Sequence, residues 1–242
     1  MFTHYRTQGF FLKEEERGEA DRLFTVFTED FGKLKVFGRA IRKIKSKLRA
    51  GTEIFSLSEI EFIQGKTHKT LTDTVLIDKF KNIKEDLEKL KTAFQIAKAL
   101  DSFLGEEEKD DEIWQLLKET FQRLNDYSLQ TTNYSLVYNY FFWNLISISG
   151  YKPELYHCSI CQKKLLPRNL YFSSKESGII CESCFQKMDE KTKALCLKIN
   201  VNVVKILRLI IEKSWKILER LKIEKEDKEN LNSLLKNQIY IQ

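Results

Sequence analysis

The chain has 242 residues, of which 42% are hydrophobic and 12% aromatic, enough apolar surface for the core of an ordinary folded protein of one to three domains. No run approaches the roughly 18 uninterrupted apolar residues of a membrane span, and MFTHYRTQGF lacks the apolar centre of a signal peptide, so a cytoplasmic protein is predicted. The formal net charge of +6 is unevenly placed: +3 over residues 1–80, −4 over 81–150 and +7 over 151–242.

Residues 4–78 read as β structure. TQGFFL, RLFTVFT, KLKVF, EIFSLSEIEFI and KTLTDTVLI are rich in β-branched and aromatic residues, and turn signals at Arg17-Gly18, Phe31-Gly32, Ala50-Gly51 and Gln64-Gly65 separate them. Five such strands predict a small closed barrel, because closure removes the edges of an all-β domain; an open sandwich is the alternative left by the pattern.

Within that region GKLKVFGRAIRKIKSKLR, residues 32–49, carries eight bases and no acid; without them residues 1–80 would fall to −5. Lys33 and Lys35 alternate with Leu34 and Val36, as on a strand with one wet face, and Gly38 ends the strand. Beyond it Arg39, Arg42, Lys43, Lys45, Lys47 and Arg49 cover a loop or short helix around Ile41, Ile44 and Leu48. Three aliphatic residues are too few to hold a helix on a membrane surface. Contact with nucleic-acid phosphates fits better, and Phe27, Phe31 or Phe37, if exposed, would stack bases.

After Asp78 the period becomes helical. Ile83, Leu87, Leu90, Phe94, Ala97 and Leu100 predict one long helix, ended by Gly105 and the acidic run EEEKDDE, which reads as a solvated loop. Ile113, Leu116, Leu117, Phe121 and Leu124 mark a second helix. YSLVYNYFFWNLISIS, apolar nearly all round, marks the central helix of a helical domain over 134–149. Val204, Leu207, Ile211, Trp215 and Leu218 form a later apolar face, and KEDKENLNSLLKNQIYIQ a weaker final helix or tail.

Cys158, Cys161, Cys181 and Cys184 follow the pattern C-x2-C-x19-C-x2-C. Two residues between thiolates let one tight turn point both sulfurs at a single ion, and two such turns complete a tetrahedral shell, so one structural Zn2+ is predicted. Four thiolates leave no ligand position for a catalytic water. None of His4, His68 and His157 is followed two residues later by Glu, as a zinc deaminase requires. Phosphate-cradling Gly-rich loops, G-x-S-x-G and H-E-x-x-H are also missing. A binding protein is expected, not an enzyme. Cys196, in ALCLKI, is expected to be a core residue on a helix.

GEADRLFTVFTEDFGKLKVFGRAIRKIKSKL resembles the N-terminal signature of the bacterial recombination mediator RecO family. The matching residues are Gly18, Glu19 and Asp21, then Thr28 and Gly32, then Lys45, Ser46, Lys47 and Leu48. NYFFWNLISISGYKPELYHCSICQ and SGIICESC are similar to the family's helix, Gly-Tyr-x-Pro turn and cysteine pairs. Ala40 stands where the family usually has glycine, and Ile44 where it often has proline. The resemblance implies an oligonucleotide-binding (OB) barrel, a helical domain and a zinc element, acting without catalysis in DNA repair. It further implies binding of single- and double-stranded DNA, strand annealing, engagement of the single-strand DNA-binding protein, work with RecR to load RecA, and a nucleoid-associated location.

The expectation is therefore an α+β multidomain chain with an OB-fold domain at 1–79, a helical domain at 80–153 and 189–242, and a zinc-binding element at 154–188. Lys33, Lys35, Arg39, Arg42, Lys43, Lys45, Lys47 and Arg49 are the candidate DNA-binding residues. A zinc-ribbon transcription or RNA-associated factor is the alternative.

Overall fold

Alternation builds the N-terminal sheet. In β3 (Gly32–Gly38) Leu34 and Val36 are buried while Lys35 faces solvent, the two-residue period of a strand with one covered face. With β1 (His4–Arg17), β2 (Asp21–Thr28), β4 (Leu57–Gln64) and β5 (Lys69–Asp78), β3 forms a closed barrel of order β1-β2-β3-β5-β4. Its neighbours run antiparallel except β3 and β5, which meet in parallel at Val36 with Lys69 and Phe37 with Thr70. This is an OB-fold, and the sandwich alternative falls. Phe11, Phe24, Val26, Leu34, Val36 and Phe62 pack in its interior. The fourth strand starts later than its apolar run, because Phe55 takes a left-handed backbone (φ 60°) and its amide donates to the Phe11 carbonyl at 2.8 Å, while the Phe11 amide donates to the Ser56 carbonyl at 3.1 Å.

The computed structural model describes residues 3–43, 45–128 and 134–239. The chain divides into two compact units, Met1–Leu129 and Gln130–Gln242. The change from strand to helix falls inside the first, where α1 (Lys81–Glu85), α2 (Leu87–Phe103) and α3 (Asp111–Asn125) cover part of the barrel's outer side. Phe10 lies 5.8 Å from Phe80 and 5.3 Å from both Trp114 and Phe121, ring centre to ring centre. The single helix expected through Ile83 and Leu100 is two, because Asp86 turns extended (φ −117°, ψ 119°) and its carboxylate caps the amides of Glu88 and Lys89. The buried face of α2 is also rotated from the expected one. Leu87 and Phe94 are 67% and 55% exposed, whereas Ala93, Ile96, Ala97 and Leu100 are buried.

In the second unit α4 (Tyr134–Ile146) is buried along almost its whole surface and runs into a π-helical turn, Ser147–Tyr151. After α5 (Glu182–Gln186) and α6 (Glu190–Ala194) come α7 (Val201–Ile211), α8 (Trp215–Leu218) and α9 (Lys225–Ile239), of which α7 and α9 pack on α4. Asn144 donates to the Ile210 carbonyl at 2.9 Å, and Tyr140 meets Trp215 edge-on at 5.3 Å. A three-stranded sheet of order β7-β6-β8, built from β6 (Leu170–Ser173), β7 (Gly178–Cys181) and β8 (Leu197–Ile199), was not anticipated. Strands of three or four residues carry too little period to stand out. Cys196 precedes β8 rather than lying on a helix, and it is half-buried. Among the described residues no helix is long and apolar enough to cross a membrane.

Candidate nucleic-acid interface and metal centre

The quoted signature residues shape the root of the basic loop. Gly18 turns the chain from β1 to β2 at φ 65°. Asp21 accepts the Ala40 amide at 2.6 Å, and the Arg42 amide donates to the Ala20 carbonyl at 3.1 Å, so the start of β2 ties down the start of the loop. The Thr28 hydroxyl donates to the Gly32 carbonyl at 2.8 Å and accepts the Phe31 amide at 3.2 Å, which locks the β2–β3 turn.

Beyond Gly38 the loop descends in successive turns, with amide-to-carbonyl bonds Lys43 to Ala40, Ser46 to Lys43 and Arg49 to Ser46, and ends in a 3-10 turn at Arg49–Gly51. Ile41 is buried in the barrel core and Leu48 packs against it, which leaves Arg39, Arg42, Lys43, Lys45, Lys47 and Arg49 exposed. Arg42 lies 3.5 Å from Glu16; the other five make no ion pair among the described residues. Ala40, one departure from the family pattern, sits at φ 52°, where a glycine would be unstrained. Ile44, the other, lies outside the described residues.

The strand bases behave differently. Lys33 is only 8% exposed, because α2 lies over its end of β3 and Asp101 takes its Nζ with a carboxylate oxygen at 3.0 Å and its main-chain oxygen at 2.9 Å. Lys35 is exposed but paired with Glu106. Their hydrogen bond holds the Glu106 carboxyl below, and the Lys35 ammonium above, its ordinary range. The acidic run is thus not simply solvated: Glu107 reaches Lys69 at 2.5 Å as well. Sequence reasoning missed Asp101, Lys69 and His68. Of the aromatics, Phe27 is buried against Trp114 and Phe31 packs on Tyr5 and Phe62, while half-buried Phe37 lies 5.2 Å from the His68 ring.

The cysteines converge as their spacing predicts. The sulfurs of Cys158, Cys161, Cys181 and Cys184 all lie within 4.8 Å of one another, and Cys161 and Cys181 are 3.9 Å apart. Tetrahedral thiolates about 2.3 Å from zinc would stand roughly 3.8 Å apart, so the four fit one ion. The β6–β7 hairpin delivers Cys181 and α5 carries Cys184, while Gln162, left-handed at φ 58°, folds the first pair by donating to the Cys158 carbonyl at 2.9 Å. Burial pushes the Cys158 thiol up, but amides including those of Cys161 and Cys181 outweigh it and bring it to about 7. Burial and the three neighbouring sulfurs push Cys184 up to about 12. Four thiols this close cannot all ionise without a cation between them. His157 points elsewhere, toward Glu154.

Barrel, helical region and thiol cluster together define an OB-fold protein with a helical extension bearing four clustered cysteines that could hold a metal ion. Residues 1–80 match the family model for the recombination protein O N terminal, and residues 84–239 that for its C terminal. The chain is 36% identical over 222 residues to the DNA repair protein RecO of Dehalococcoides mccartyi, covering 92% of this chain and 84% of that one. It is 28% identical over 236 residues to the DNA repair protein RecO of Alkaliphilus metalliredigens, covering 98% and 92%. With that of Caldanaerobacter subterraneus subsp. tengcongensis it shares 27% over 231 residues, 95% and 89% of the two chains. The chain belongs to the RecO family.

Proposed function

We propose that this protein is a non-enzymatic DNA-binding mediator of recombinational repair. Its relatives carry the name DNA repair protein RecO. The observation that carries the reading is the charge of the loop: Arg39, Lys43, Lys45, Lys47 and Arg49 stand exposed, with no carboxylate partner among the described residues, at the side of an OB barrel. Bases so placed neutralise backbone phosphates and position a strand without reading its sequence. Two complementary strands held on one cationic surface repel each other less, which favours annealing. Single- and double-stranded DNA are the ligands; RecR and single-strand DNA-binding protein are the partners, with RecA loading as the outcome. One zinc ion, held by Cys158, Cys161, Cys181 and Cys184, braces the second unit and takes no part in chemistry, since four thiolates complete its shell.

Affinity for an unstructured single strand should fall with salt at a log-log slope of about −3 to −4, from about five phosphate contacts at roughly 0.7 each. Replacing Arg42, Lys43, Lys45 and Lys47 together with Ala should flatten that slope. An unchanged slope in a folded variant removes the loop from the interface. Annealing of fluorescent complementary oligonucleotides, with and without single-strand binding protein, tests the mediator role; sequence-specific duplex binding without annealing would contradict it.

A further inference from the structure

Among the described residues the loop cations other than Arg42 make no ion pair; the strand cations Lys33 and Lys35 do. The connection from α2 to α3 runs along the edge of β3 that β5 leaves unpaired near Lys33. There the Glu107 amide donates to the Lys33 carbonyl at 2.9 Å, and Glu106 forms a parallel bridge with Lys33. This brings Glu106 onto Lys35 and Glu107 onto Lys69. Glu107 adopts φ 63° in this seat. Gly32 lets the connection approach, since a Cβ there would lie 2.1 Å from the Glu108 carbonyl oxygen. A left-handed non-glycine residue and a glycine without room for a methyl group both mark a seat shaped for this segment.

OB barrels take oligonucleotides on the β2–β3 face and at the β4–β5 connection. Lys35 and Phe37 lie on the outer side of β3; His68, whose ring meets Phe37, lies in the β4–β5 connection, and Lys69 begins β5. Two cations flanking a pair of rings suit a single strand, phosphates on the ammonium groups and a base on the rings. The carboxylates of Glu106 and Glu107 occupy those ammonium groups in its place.

We propose that Glu106 and Glu107 stand in for two backbone phosphates, keeping Lys35 and Lys69 closed until a single strand displaces them. The proposal rests on the DNA-binding reading above and adds that the chain's own acidic connection competes for the strand face. Lys35, Glu106 and Glu107 are exposed and Lys69 is half-buried, so water and salt reach both pairs from the carboxylate side and weaken them. A strand already held by the loop bases reaches the strand face at high effective concentration, so it wins where a short or free anion does not.

The test uses the full-length protein and labelled oligo(dT) over a series of NaCl concentrations, comparing wild type with Glu106→Gln/Glu107→Gln. The double variant should bind about tenfold tighter at low salt, with the gap narrowing as salt rises, because salt itself weakens the two ion pairs that the strand must break in wild type. Equal affinity and slope in both proteins would make the connection a mere brace and overturn the proposal, while leaving DNA binding intact. Binding by neither protein would overturn both. Hydrogen exchange of wild type alone guards against a misfolded variant: oligo(dT) should speed exchange of the Glu107 amide, which the Lys33 carbonyl holds in the free protein. Slowed or unchanged exchange there overturns the proposal.

Discussion

Ala40 holds a backbone angle that L side chains avoid, φ 52°, because its amide is committed to Asp21 and the chain must turn outward from β3 at once. The Cβ penalty of such a conformation is roughly 1–2 kcal/mol, and the freedom that glycine regains in the unfolded chain is roughly 0.5–1 kcal/mol. Ala40→Gly should therefore stabilise the first unit by roughly 0.5–1 kcal/mol, read as a higher denaturant midpoint at unchanged slope. Gly32→Ala should do the opposite and cost more than about 2 kcal/mol, since it adds a contact of 2.1 Å with main-chain oxygen to the same penalty at φ 65°. An Ala40→Gly variant no more stable than wild type would show that the loop root is not held left-handed. The sequence marked Asp21, Thr28 and Gly32 as pattern without revealing their work. That Asp21 ties the loop and Thr28 locks a turn depends on which strands pair.

At the scale of elements, legibility followed the range of the interaction. Local signals sufficed for the strand alternation of β3, the helical periods of α3 and α7 and the two Cys-x2-Cys turns, since each is written within a few residues. The α1–α2 break was also local, in Asp86 ahead of Leu87-Glu88-Lys89, but the apolar period ran through it and outweighed the cap. The pairing of Glu106 with Lys35 spans 71 positions, so nothing near the acidic run marks it as anything but solvated. The sheet of β6, β7 and β8 is similarly non-local, and it makes the thiol cluster an integral part of the second unit: Phe172 of β6 packs edge-on against Trp143 of α4 at 5.7 Å. Metal removal should thus reach the helices. Purified protein should hold one zinc per chain, and a strong chelator should lower its melting temperature and helical circular-dichroism signal, both restored by added zinc. Structural zinc contributes on the order of 10 kcal/mol in small isolated sites, comparable with the whole stability of a domain. Freshly made protein without metal, or a melt indifferent to chelation, would contradict this.

For the molecule as a whole, both units hold carboxylates below their ordinary pKa range. In the first, Glu15 is lowered by its hydrogen bond with Lys13, Glu61 by His4, Glu106 by Lys35 and Asp126 by the Ser128 amide. In the second, Glu154 is lowered by the amides of His157 and Tyr156, and Asp189 by the Thr192 hydroxyl and amide. A carboxyl whose folded pKa is depressed binds fewer protons folded than unfolded near pH 4. Its contribution is present above the unfolded value and is lost as the pH falls through the folded one. Each of these groups is exposed enough that its share is small, but all act in the same direction. At the alkaline end, burial raises the Tyr138 hydroxyl to about 12, so its contribution is intact below the ordinary tyrosine value of 10 and is lost as the pH rises from there through 12. Metal-loaded protein should therefore keep a flat melting temperature from about pH 5.5 to 9, falling below pH 4.5 and again above pH 10. Tyr138→Phe should blunt the alkaline fall and leave the acid limb unchanged. A melting temperature that rose on acidification below pH 4 would show that these carboxylates are not held down in the folded chain.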